Sequence, residues 1–225
     1  MKNPIRKTTV IGTSVLLAFF AISCSKESVL PAEEAFLSQK AVKKSALVND
    51  LQSTISEDER HSLLFMREEE KLARDVYITL YKKWGDAIFS NISESEQSHM
   101  DAILKLLVKY NLPDPAANNP IGVFTDESLQ SLYNQLVAKG STSLMNALIV
   151  GATIEDMDLR DIKEDLQTID NSDIIEVYEN LLKGSRNHLR SFYSKILDLG
   201  GTYTPQYITQ EEFEEVVSSE METGS

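Results

Sequence analysis

Residues 93–107 read SESEQSHMDAILKLL, and the reading of this stretch decides the fold. Ile92, Glu96, His99, Ile103, Leu106 and Tyr110 follow one another at steps of three or four residues, the period of one side of a helix. Met100, Leu104 and Leu107 flank that stripe, so it is the side expected to be buried. A carboxylate and an imidazole therefore lie one turn apart inside an apolar seam. Burying an unpaired charge costs several kcal/mol or more, so something in the interior must offset it.

Working outward, three further long stretches carry the same pattern. Ser56-Glu57-Asp58-Glu59 is a capping box, and a helix should run from there to Trp84, stopped by Gly85. Its stripe is Leu63, Met66, Glu70, Ala73, Tyr77, Leu80 and Trp84, with Glu70 as the one carboxylate in the seam. The quoted helix should span about Ser90 to Asn111 and end at the proline-rich NLPDPAANNP. Residues 112–141 form a long connection with a short amphipathic helix, Asp126 to Ala138, capped by Thr125 and ended by Gly140. A third long helix is expected from Ser141 to Thr168, with Glu155 in its seam and Asp158 one turn on. A fourth should run from Ile174 to Leu199 behind the cap DNSD, with Tyr178, Ser185 and His188 on its stripe. A short extended piece and a last helical segment from Thr209 follow. The expected fold class is all-α: a four-helix bundle whose second and third helices are joined by a crossover along the bundle axis.

The ends of the chain read differently. MKNPIRK is basic, and VIGTSVLLAFFAI is an apolar run of 13 residues, too short for a comfortable membrane span. Ala21-Ile22-Ser23-Cys24 resembles a bacterial lipobox, which makes residues 1–23 a lipoprotein signal peptide and Cys24 the lipidated residue. Residues 24–55 read as a linker, 56–218 as the folded domain and 219–225 as a disordered tail. The expected location is outside the cytoplasm, anchored by lipid to the bacterial cell envelope. Cys24 is the one cysteine, so the folded part has no disulfide, thiolate nucleophile or cysteine metal ligand.

Of the 22 basic residues the leader holds three (Lys2, Arg6, Lys7), which leaves 19 against 35 acidic ones, a net charge of −16. Such a surface repels nucleic acid and anionic headgroups, so contact with a membrane is expected through the lipid alone. A homodimer is compatible with the sequence but not required by it.

Four long helices each with one buried polar position suggest a shared purpose. Carboxylates and imidazoles at one level of a bundle can surround divalent cations, which neutralise the charge that burial penalises. Glu96-Gln97-Ser98-His99 places both ligand types on one face. Tyr77 and Tyr178 are expected as core residues within reach of a ligand carboxylate. Met66 and Met100 read as packing, His61 as exposed, and Glu68 and Glu69 as part of a solvated charge run.

Glu70-Lys71-Leu72-Ala73-Arg74-Asp75-Val76-Tyr77 resembles the first ligand helix of rubrerythrin-type proteins, and Glu96-x-x-His99 resembles their second. The phrases REEEKLARDVY, FSNISESEQSHMDAI, YNLPDP, YENLLKGSRNHLR and TYTPQY resemble more closely a ferritin-like family known as domain of unknown function 2202. The resemblance covers about residues 57–215. It implies a ferritin-like bundle with Glu70, Glu96, His99, Glu155 and His188 as metal ligands. It favours iron, one or two ions, with manganese and zinc as alternatives. One departure stands out: the fourth helix should read Glu-x-x-His and here reads Ser185-Arg186-Asn187-His188. Asp158 is the carboxylate nearest in pattern to make up that loss. The implied role is iron or peroxide handling, as a di-iron-type oxidoreductase. A metal-binding protein without turnover and a purely structural lipoprotein are the competing readings.

Overall fold

Ser56 starts the first helix as its spacing predicts. In the computed structural model, which describes residues 55–223, its hydroxyl accepts from the Glu59 amide at 3.1 Å and the Glu59 carboxylate accepts from the Ser56 amide at 2.8 Å. Helix α1 runs Glu57–Trp84 and stops at Gly85, whose φ of 67° is left-handed backbone that glycine adopts without a steric penalty. Helix α2, Ala87–Lys109, begins three residues earlier than expected because the Asp86 carboxylate accepts from the Ile88 amide. Helix α3 is Glu127–Gly140, α4 Leu144–Asp165, α5 Ser172–Asp198 and α6 Gln210–Ser218. The cap of α3 is Asp126, not Thr125: its carboxylate takes the Ser128 and Leu129 amides. Every regular element among the described residues is helical, and none of these helices is long and apolar enough to cross a membrane. The expected signal peptide, Cys24 and nearly all of the expected linker lie outside the described residues.

Short links fold α1 back on α2 and α4 back on α5, so each pair is antiparallel. The pairs face each other through α1 against α4 and α2 against α5. Helix α3 lies on α1 and α4, and α6 on α5. Between the pairs the rings of Tyr77, Phe89 and Phe192 meet at 5.2–6.5 Å between centroids. Burying each such ring stabilises the fold by roughly 1.5–3 kcal/mol. The close approach of α4 to α5 depends on Gly151, where a Cβ would lie 2.4 Å from the Phe192 ring.

Two expectations are corrected. The charge run on α1 is not a solvated face: Arg67, Glu68, Glu69, Glu70 and Lys71 are all buried. Arg67 pairs with Asp114 at 2.9 Å, and Glu68 accepts from the amides of Thr125 and Asp126 at 2.6 and 2.9 Å. Lys71 donates to Asp75 at 2.5 Å and to the Pro120 carbonyl at 2.9 Å, and sits 4.4 Å above the Phe124 ring. The run is covered because the connection between α2 and α3 folds over it and supplies partners. Part of the expected disordered tail is also held: Glu222 pairs with Arg186 at 2.6 Å and Arg190 at 3.0 Å on α5. In the extended piece, Asp156 on α4 accepts from the Tyr203 hydroxyl at 2.7 Å and from the amides of Gln206 and Ile208, which explains the TYTPQY phrase as a clasp.

Gly151→Ala is expected to lower stability by about 1–3 kcal/mol in chemical denaturation, since the new methyl must displace Phe192. Glu222 responds to pH. The hydrogen bond from Arg186 holds its carboxyl down at about 2. A depressed carboxyl adds stability above its unfolded value, and that stability disappears as the pH falls toward 2. The pair is partly exposed, so Glu222→Gln should cost less than about 1 kcal/mol at pH 7, and the two proteins should converge near pH 2. An equal gap at both pH values would contradict this assignment.

Candidate metal centre

The helical period delivers the five seam residues to one level. Glu96 and His99 come from α2, Glu70 from α1, Glu155 from α4 and His188 from α5. They form two groups that share Glu96: Glu70, Glu96 and His99, then Glu96, Glu155 and His188. Within each group the atoms able to ligate a cation lie within 4.8 Å of one another. His99 Nδ1 is 2.7 Å from Glu96 Oε2 and 3.1 Å from Glu70 Oε2. His188 Nδ1 is 2.8 Å from Glu96 Oε1 and 3.3 Å from Glu155 Oε2. The two oxygens of Glu96 thus face different imidazoles, and each imidazole has one further carboxylate. The rings themselves are 5.6 Å apart between centroids.

Other residues hold these side chains in place. Tyr77 donates to Glu155 Oε1 at 2.5 Å. Ser95 Oγ meets His188 Nε2 at 2.9 Å, which leaves Nδ1 facing the carboxylates. Gly184 lies against the His99 ring, where a Cβ would be 2.5 Å from Nε2. Sequence reasoning passed over Ser95 and Gly184. Ser95 carried no signal. Gly184 did carry one, because a glycine inside a long helix weakens it and calls for a reason such as close approach.

The remaining expected residues sit elsewhere. Tyr178 reaches the Ser62 hydroxyl at 2.6 Å rather than a ligand carboxylate, and Ser62 donates to Asp165. Ser185 is buried but donates to the Leu181 carbonyl at 3.1 Å, the back-bond that a serine inside a helix often makes. Its hydroxyl proton is therefore committed to its own helix. Asp158 is buried on the same face of α4 as Glu155 yet belongs to neither group, and no donor reaches either of its oxygens. His61 is exposed.

The electrostatics follow from this packing. Burial pushes the Glu70 carboxyl up to about 7, against the pull of His99. Burial also works against charge on Glu96, but His188 and His99 together hold it well below the usual carboxylate range. Burial opposes charge on His188, and Glu96 and Glu155 outweigh it and raise the imidazole to about 10. His99 is likewise raised, by Glu70 and Glu96 against burial. Asp158 is raised by burial and then by Glu69, Glu155, Glu70 and Glu96. Three central carboxylates with two imidazoles, and two more carboxylates beside them, exceed the positive charge the imidazoles can supply. Glu70 Oε1 is buried with no hydrogen-bond partner, and Glu96 Oε1 faces His188 without hydrogen-bond geometry. Oxygen and imidazole donors without thiolate suit iron, manganese or zinc, so the residues present fit a divalent metal.

The sequence comparisons agree with the closer of the two resemblances. Uncharacterized protein MJ0754 of Methanocaldococcus jannaschii is 57% identical over 170 residues, spanning 76% of this chain and 92% of the relative. The crystal structure of hypothetical protein MJ0754 from Methanococcus jannaschii DSM 2661 superposes with a TM-score of 0.74 at 57% identity. It covers 75% of this chain and 97% of that one. The uncharacterized protein domain DUF2202 matches residues 59–220. With most of its length matched in this way, the chain belongs to the DUF2202 family.

Proposed function

We propose that this chain is a ferritin-like, lipid-anchored envelope protein whose four long helices hold a two-metal site, with iron as the preferred metal. The observation that carries the reading is the shared carboxylate. Glu96 offers one oxygen to the group of Glu70 and His99 and the other to the group of Glu155 and His188. That is how a single carboxylate can join two cations. The ferritin-like plan is supported by the four long helices, by ligands on the inward face of each and by the 34-residue connection from 110 to 143, long enough to cross the bundle. The anchoring rests on residues 1–24 as read from sequence.

Glu70 and Glu155 would act as terminal carboxylates, and His99 and His188 as terminal imidazoles through Nδ1. Tyr77 and Ser95 orient Glu155 and His188. Tyr77 and Phe192, fully buried with their rings 5.2 Å apart, form the apolar packing beside Glu155. Ferrous iron held there would supply the electrons for reducing oxygen or peroxide, which gives the role in iron or peroxide handling. Ser185 favours a second reading, because its back-bonded hydroxyl leaves α5 without the second shared carboxylate. In that case bound metal stabilises the fold by mass action and nothing turns over.

Anaerobic loading with ferrous iron, desalting and metal analysis tests the site. Wild type should retain at least two equivalents, and Glu96→Gln at least one fewer. As many equivalents retained by Glu96→Gln as by wild type would overturn the shared-carboxylate reading. Gly184→Ala gains about 0.5–1 kcal/mol in helix propensity yet must displace the His99 ring. It should therefore lose the equivalent held by Glu70 and His99 and keep the other. Peroxide consumption by the loaded wild type supports the oxidoreductase; a rise in melting temperature without consumption supports the second reading.

A further inference from the structure

Glu69 and Asp158 are the least explained side chains in the interior. Each is 1% exposed, and no donor reaches any of their four oxygens. Other buried acids outside the centre are satisfied: Glu59 by the amides of Ser56 and Asn171, Glu68 by two amides, Asp75 by Lys71 and Arg74, and Asp156 by Tyr203 and three amides. Buried carboxylates normally find donors, so an orphaned pair asks for a cation or a proton.

The pair is part of a row. On α4, Glu155, Asp158, Asp161 and Asp165 follow at steps of three, three and four residues, so they share one face. Ten residues of helix rise about 15 Å. Exposure grows along that rise: Glu155 and Asp158 are buried, and Asp161 and Asp165 are half-buried. Across the seam on α1, Glu69 lies close enough to Asp161, Asp165 and Asp158 to act on each of their charges. Arg160 engages one oxygen of Asp161, and Ser62 donates to Asp165. Asp161 and Asp165 are held in this way, while Asp158 has no partner and Glu69 has only the Asp161 carboxylate beside it.

We infer that Glu69 and Asp158 form a second cation site, one for a hard divalent cation, on the approach from the Asp161–Asp165 end of α4 to the Glu96 centre. Carboxylate oxygens in this number suit a manganous or ferrous ion and offer nothing to a soft one. The site stands on its own residues; its part as an approach rests on the metal centre proposed above.

Manganous ion is the probe, measured on the full-length protein by titration with electron paramagnetic detection of free metal. Glu69→Gln/Asp158→Asn keeps shape and removes charge. It should take up one equivalent fewer than wild type, or bind that equivalent at least tenfold more weakly, and keep the ions of the centre. Glu96→Gln/Glu155→Gln should do the reverse. If the Glu69 and Asp158 variant binds as wild type does, the inference is overturned, and the pair holds a proton instead. If wild type binds manganese at the Glu69 pair alone, the inference stands and the metal centre fails. Wild-type crystals soaked in manganous chloride give a check that needs no variant. An anomalous peak between Glu69 and Asp158 supports the site; peaks confined to the Glu96 groups, or none at all, refute it.

Discussion

The position of one carboxylate constrains the whole molecule. Glu96 sends an oxygen toward each of two imidazoles on different helices, and each imidazole faces a further glutamate on a third and a fourth. A buried carboxylate is costly without donors or positive charge beside it, and Glu96 takes its compensation from two imidazoles, so α1, α2, α4 and α5 meet in register at this level. The packing around it reads as a means to that end. Gly184 lets α5 approach His99, Gly151 lets α4 approach Phe192, and Tyr77 spans from α1 to Glu155 on α4.

The same rule of compensation shapes the rest of the fold. The connection between α2 and α3 has few regular hydrogen bonds of its own to hold it. It is fixed instead by Arg67 to Asp114, Glu68 to the amides before α3, and Lys71 to Pro120. Removing one partner of such a pair leaves the other charge buried and alone, which costs about 3–5 kcal/mol. Glu68 also places a negative charge at the start of α3, where the helix dipole favours it. At the other end Asp156 gathers three amides and a phenol to hold the extended piece before α6.

The seam residues were legible because a helical period needs only sequence. Glu70, Glu96, His99, Glu155 and His188 could be placed on inward faces without knowing their neighbours. What a face does not give is a side chain's partner. Tyr178 and Ser185 lie on the predicted stripe, but one turns to Ser62 and the other bonds back along its own helix. Glu68 and Glu69 were misread because a two-sided picture assigns every helix one wet face. Helix α1 has none at this level: α2, α3, α4 and the connection surround it. The early start of α2 and the Asp126 cap were readable one residue at a time, yet they compete with equally good caps nearby, and only the packed structure chooses among them.

Residues 67–71 occupy more than one turn of α1 and are buried on every side. The segment richest in charge is therefore nearly as dry as the apolar residues that flank it. To expose its amides, the protein must first undock the connection, part α1 from α4 and break several ion pairs together. Slow amide hydrogen exchange should accordingly run through this charged segment without a break, so a map of solvent protection along α1 would not follow a map of hydropathy.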